Sequence, residues 1–222
     1  MIYKLLLHRF PIDHSLNPQK IKLDSSVFSF DFILTDPKAC DSCQNNPQRK
    51  DRMDCNREVL KVHVEDDEVT VINLEEYLGQ YKFAKEKCDY LLVDNTENHR
   101  KFSFCDLTCS DEKYVESNKG RYPEGKRVKV KHQMVQSMEY LLDEPLLAHF
   151  ILTFAEKHCV FGWRDYNVPA IPSVPSRNNV LGNMQAFGIT PSSMAKVIKI
   201  EERIKEHDFL FVQVKYPHEY GW

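Results

Sequence analysis

Two runs of this chain place acidic side chains where they could do chemistry: Cys88-Asp89-Tyr-Leu-Leu-Val-Asp94 and, after a polar turn, Lys101-Phe-Ser-Phe-Cys-Asp-Leu-Thr-Cys109. Short apolar runs on either side of Asn95 to Arg100 predict a β-hairpin. Period-two alternation puts Asp106 and Thr108 on one face of its second strand, with Cys105, Leu107 and Cys109 on the other. The Asp106 face is where a metal-binding carboxylate would sit.

A second polar array follows. From Val128 to Leu142 the apolar Val130, Met134, Val135, Met138, Leu141 and Leu142 share one side of a helix, while Lys129, Gln133, Gln136 and Tyr140 form a narrow stripe on the other. Basic residues gather around its start: Lys113, Lys119, Arg121, Lys126, Arg127, Lys129 and Lys131 lie among Tyr114 and Tyr122. Such a segment would neutralise phosphates, although composition alone describes a solvated loop at least as well. Glu75 and Glu76 could add a carboxylate, but acidic residues in a first helical turn are also what the helix dipole favours.

The third array is Cys40-x-x-Cys43 with Cys55, in a polar stretch holding Arg49, Lys50 and Arg52. Thiolates two residues apart in a tight turn grip one metal, and zinc would fold a loop that has no core of its own. The fourth ligand would come from Cys88, Cys105, Cys109 or His63. Reduced unligated thiols, or a redox pair of Cys40 and Cys43, remain open. Cys105, Cys109 and Cys159 are expected as buried core thiols.

The elements that must position these groups read as one α/β domain over 1–222: a central mixed β-sheet flanked by helices, a β-rich N-terminal part (1–73) with a cysteine loop (36–57), a central part (74–163), and a closing part (164–222). Strands are expected over Ile2 to Phe10, Val27 to Leu34, His149 to Phe154, Cys159 to Trp163 and Asp208 to Tyr216. Glu58 to Val64 and Val69 to Leu74 predict a hairpin about the acidic turn Glu65 to Glu68. Leu74 to Lys85 and Ser192 to about Glu206 predict helices. Ser110 to Gly125 and the Pro-rich Val168 to Pro191 predict irregular loops.

Composition narrows the classes. The chain has 222 residues, 42% of them hydrophobic, enough for a sizeable core. A net charge of -3 gives no global basic field, so any nucleic-acid contact must be local. No run of about eighteen apolar residues occurs, which argues against a membrane span. MIYKLLLHRF fits no signal peptide, and seven cysteines fit a reduced, cytoplasmic protein.

The order of helix, carboxylate-bearing hairpin and a helix carrying Gln136-x-x-x-Tyr140 resembles the PD-(D/E)XK, or restriction-endonuclease-like, nuclease superfamily over roughly Leu74 to Trp163. The resemblance implies Asp89, or Asp94 if the register differs, and Asp106 as ligands of a divalent cation, usually magnesium, which polarises the phosphate and activates water. The family's strand lysine is Thr108 here, and the resemblance offers Lys129 from the following helix as its substitute. Three readings follow. The first is a nuclease-fold protein with a decayed site that binds a protein partner or nucleic acid, for instance in a prokaryotic defence system. The second is an active magnesium-dependent nuclease using Asp89, Asp106, Lys129, Gln136 and Tyr140. The third is a zinc-stabilised interaction adaptor built on Cys40, Cys43 and Cys55, contacting partners through its Pro-rich loop or through Trp163-Arg164 and the aromatic C-terminus.

Overall fold

The computed structural model describes residues 1–36, 58–65, 67–81, 83, 85–94, 96, 98–110, 112–115, 125–165 and 200–222. Cys40, Cys43, Cys55, most of the Ser110 to Gly125 loop and the Pro-rich Val168 to Pro191 loop lie outside them. Two sheets and a helical layer make up the molecule. The strands are β1 (Ser25–Phe28), β2 (Phe32–Thr35), β3 (Glu58–His63), β4 (Val69–Asn73), β5 (Tyr90–Asp94), β6 (Lys101–Cys109), β7 (Glu156–Arg164), β8 (Leu210–Lys215) and β9 (Glu219–Gly221). A six-stranded mixed sheet runs β1-β4-β5-β6-β7-β8, and a three-stranded sheet runs β2-β3-β9. The helices are α1 (Ile2–Lys4), α2 (Phe10–Asp13), α3 (Leu74–Gly79), α4 (Glu112–Val115), α5 (Gly125–Leu142), α6 (Pro145–Leu152) and α7 (200–206).

Alternation along the strands sorts the apolar side chains into two cores. Leu91, Val93, Phe102, Phe104, Cys159, Phe161 and Trp163 face the helices, with Met134, Val135, Met138 and Leu141 of α5 over them. Leu92, Cys105, Leu107, Cys109 and Val160 face the small sheet, against Leu60, Val62 and Tyr220. At Gly162 a Cβ would lie 2.7 Å from Leu107 Cδ2 on the neighbouring strand β6 and 3.1 Å from Leu60 Cβ of the small sheet. A side chain here would require Leu107 to turn aside and Leu60 to give by a few tenths of an ångström.

Four local expectations change. Ile2 to Phe10 is helical, α1 and α2 joined by a π-helical turn at Leu5–Arg9; Ile2, Leu6 and Phe10, four residues apart, are the buried ones. Lys4, His8 and Arg9 interrupt the run, and the i, i+4, i+8 spacing of Ile2, Leu6 and Phe10 is a helical period, not the alternation of a strand. His149 to Phe154 is not a strand: most of it belongs to α6, which Pro145 begins and whose first turn Glu144 caps by accepting from Leu147 N. Helix α3 ends at Gly79, short of Lys85.

Finally, the Glu58–Leu74 hairpin and the single Val27–Leu34 strand are replaced by a bent ribbon. β1 pairs with β4 (Phe28↔Val69) and β2 with β3 (Phe32↔Val62), all antiparallel. One ribbon thus bends across its middle and gives half to each sheet, and the cysteine-bearing segment joins its ends at the Thr35↔Glu58 pair.

Helix α7 is tied down by a buried cation. The Lys131 side chain on α5 is 1% exposed; it pairs with Glu201 and sits 4.5 Å over the Phe211 ring. Among the described residues no helix is long and apolar enough to cross a membrane.

The Gly162 contact yields a direct test. Gly162→Ala should cost about 1–3 kcal/mol, the usual penalty of overpacking, read as a lower urea midpoint at unchanged slope. An unmoved midpoint would show that the sheets can separate freely.

Candidate functional site

The site is built at the open end of the β5/β6 hairpin, where the carboxyl ends of the parallel strands β6, β7 and β8 lie side by side. In α/β sheets this end collects ligands, because loops leave the sheet there and no backbone closes it. The register Tyr90↔Cys105 and Leu91↔Phe104 places Asp89 opposite Asp106 one step beyond the last pair. Both belong to the helix-facing side, in series with Leu91 and Phe104. Each is nearly buried, Asp89 at 2% and Asp106 at 4% exposure.

Strand β6 outruns its partner. β5 begins at Tyr90, whereas β6 continues four residues past Cys105, so its amides on that side need other acceptors. Carboxylates supply them: Asp89 Oδ2 accepts from Leu107 N at 2.7 Å, and Asp36 Oδ2 accepts from Cys109 N at 3.2 Å. Asp89 is itself fixed by its backbone, since its carbonyl accepts from Leu74 N and Glu75 N at the start of α3. Asn73 caps that turn, its Oδ1 accepting from Glu76 N while its side-chain amide donates to the Glu76 carboxylate. Glu76 is thus spent on the cap.

The acids charge their surroundings. Burial pushes the Cys88 and Cys105 thiols well up, and the nearby Asp106 and Asp89 push both further. Burial likewise raises Cys159. Tyr90 is pushed to about 12, first by burial and then by Asp89. Protonated thiols make poor metal ligands. His63, another candidate fourth ligand, bonds Asp31 at 2.9 Å and is raised chiefly by that hydrogen bond. No group of three or more His, Cys, Asp or Glu side chains suited to a metal occurs among the described residues. Cys40, Cys43 and Cys55, the expected zinc ligands, fall outside those residues.

A lysine does reach the position where the resemblance leaves Thr108, but it is Lys126. Its Nζ donates to Thr108 Oγ1 at 3.0 Å from the first turn of α5. Gly125, with φ of 78°, sets the chain's entry into that helix in a region that side chains disfavour. Lys129 instead pairs with Glu86 at 3.3 Å.

The rest of the stripe is packed, not solvated. Gln133 donates to Lys87 O at 2.8 Å. Tyr140 bonds His14 Nδ1 at 3.1 Å and stacks on Phe83. Gln136 is half-buried, its Oε1 shielded from solvent and without a hydrogen-bond partner. Asp94 lies at the other end of β5, accepting from Thr96 N and Arg100 N to hold the turn.

The structure therefore sets Asp89 against Asp106 and puts Lys126 at Thr108, two residues further along β6, with Lys129 and Tyr140 engaged elsewhere. Sequence reasoning missed the parts played by Asp36 and Lys126. Asp36 follows an apolar strand and carried no motif; Lys126 stood in the basic run, and only the helix start, shown by Gly125, would have separated it from its neighbours.

Removing the Asp89 carboxylate should expose its structural duty. Asp89→Ala leaves the buried Leu107 amide unpaired and should cost about 1–3 kcal/mol in chemical denaturation, whereas Asp89→Asn keeps an acceptor and should cost well under half of that. Equal losses would show that the bond to Leu107 is not what matters.

No family model, curated protein or solved structure matches this chain.

Proposed function

We propose that this chain is a metal-dependent phosphodiester hydrolase of nucleic acid, with a nuclease-type site formed by Asp89, Asp106 and Lys126. The single observation that carries the reading is the Lys126 ammonium at Thr108. The sequence argues for decay because Thr108 has no charge; a lysine delivered from α5 to that residue supplies the missing cation.

The donor set suits a hard divalent ion. Magnesium takes one or two carboxylates and keeps water and phosphate oxygens for its other positions, and Asp89, just before β5, and Asp106 on β6 are two carboxylates at one end of the hairpin. Such an ion would supply charge to a phosphate oxygen and acidify a water. The protein's part is separate. Asp89 and Asp106 would hold the ion, with Asp89 oriented by the bond it accepts from Leu107 N. Thr108 aims the Lys126 ammonium, which either neutralises the phosphate or orients the water. The sheet fixes all four groups on adjacent strands and one helix start, which limits the reorganisation needed during reaction.

A second reading keeps the fold and drops the chemistry: the site binds nucleic acid or a protein partner without cleaving. It is favoured by the burial of both carboxylates and by the commitment of one Asp89 oxygen to the backbone.

Cleavage of labelled single- and double-stranded DNA and RNA in magnesium or manganese separates the two. Wild type should cleave at least one substrate, Asp106→Asn should abolish this, and Lys126→Gln should slow it by about 100-fold or more, the scale of losing one electrostatic stabiliser. Lys129→Gln should stay within a few fold. Wild-type protein that binds but cleaves none of the substrates would sink the hydrolase reading in favour of the second.

A further inference from the structure

Among the described residues four strands are sheet edges: β1 and β8 of the large sheet, β2 and β9 of the small one. An open edge carries unpaired N–H and C=O groups that invite another strand, and charged side chains, prolines or bulges usually blunt it. Lys215 does so on β8 and Glu219 on β9, while β2 has a register shift at Leu34/Thr35. Only β1 has no such device. From Ser25 to Phe30 the chain has no charge and no proline, Val27 is 48% exposed, and Phe30 is 65% exposed.

The parity of the ladder fixes which backbone groups are free there. Asn73 N donates to Asp24 O, and the same register pairs Ser26 with Val71 and Phe28 with Val69. Bonded and non-bonded pairs alternate along an antiparallel ladder. The N–H and C=O of Ser25 and Val27 therefore point away from β4, and no described strand lies on that side.

The two ends of this edge carry opposite charge. Before it, Lys20 and Lys22 are exposed, have no ion-pair partner among the described residues, and outnumber the single carboxylate of Asp24. After it, Asp31 and Glu65 share one imidazole, that of His63, at 2.9 and 3.5 Å, while Asp67 is matched by Arg100. One end is thus net basic and the other net acidic. The strand that complements this edge is antiparallel to it, with a basic end, an uncharged middle and an acidic end. The chain's own 20–31 segment has that pattern.

We propose that β1 pairs with β1 of a second copy of this chain, antiparallel about a two-fold axis at Val27, so that the two six-stranded sheets join edge to edge. Each Val27 N–H donates to the Val27 C=O of the other copy, the exposed Val27 side chains meet across the axis, and Lys20 and Lys22 approach Asp31 and Glu65. A two-fold contact of this kind uses one self-complementary patch twice. With strands of four residues it belongs to the small, weak class of interfaces, under about 1,200 Å2. The pairing is independent of cleavage at Asp89 and Asp106.

Sedimentation velocity in reducing buffer, from about 5 to 500 µM, covers the dissociation constants of that class. Wild-type protein should show a monomer–dimer equilibrium that weakens as sodium chloride rises, because the charged ends are exposed. Val27→Pro removes the outward N–H and no bond to β4. A symmetric dimer loses two hydrogen bonds by it, so the dissociation constant should rise about tenfold or more. Val27→Lys sets like charges directly opposite each other and should do the same. Lys20→Gln with Lys22→Gln should weaken the dimer and flatten its salt dependence. Wild-type protein that stays monomeric at every concentration overturns the proposal. So does a dimer that persists in both Val27 variants, with circular dichroism showing each folded, since another surface then makes it.

Discussion

The overhang of β6 is the constraint on which the rest of the structure depends. Nine residues long and buried along its whole length, β6 pairs with β7 to its end but with β5 only as far as Cys105. Backbone amides cannot be left unpaired in a dry interior. Asp89 and Asp36 take the place of the missing strand, and they arrive from opposite directions: Asp89 from the chain entering β5, Asp36 from the end of β2. Carboxylates thereby collect at one end of the sheet as a matter of backbone accounting before any chemistry is asked of them.

The same requirement ties the two sheets together. Asp36 belongs to the bent ribbon that feeds both, and its bond to Cys109 anchors the small sheet to the end of β6. Gly162 lets Leu60 and Leu107 meet directly beneath. At the far end, Tyr220 bonds Ser103 and His158, and Lys101 donates to Gly221 O, so the C-terminal strand is pinned to the large sheet as well. Carboxylates at one end and a tyrosine at the other leave β6 little freedom to shift register. A slip of one residue would carry Asp106 to the wrong face.

On the helix side the acids are balanced by position. Helix α5 crosses from β6 to β7 and starts beside Thr108, so its first turn can deliver a lysine that the strand does not supply. Its middle serves packing: Gln133 holds the segment before β5, Ser137 accepts from Cys88 N, and Lys131 binds Glu201. The stripe that resembles a catalytic face in sequence is largely an internal scaffold for the entrance to β5.

Sequence alone determined the α/β class, the β5/β6 hairpin, the faces of Asp106 and Cys105, and the apolar side of α5, because each follows from a local period of two or 3.6 that any core must respect. It also marked Asp89, whose place opposite Asp106 follows once the hairpin register is set. What only the tertiary structure decided is which lysine reaches Thr108, that Asp36 joins Asp89 on the β6 backbone, and that 25–35 and 58–73 form one bent ribbon. Those outcomes depend on where β5 stops and on which surface is buried by residues far away in the chain. A lysine's reach from a helix start changes direction by about 100° with each residue, so no composition of the basic run could separate Lys126 from Lys129 until the helix had a fixed origin against the sheet.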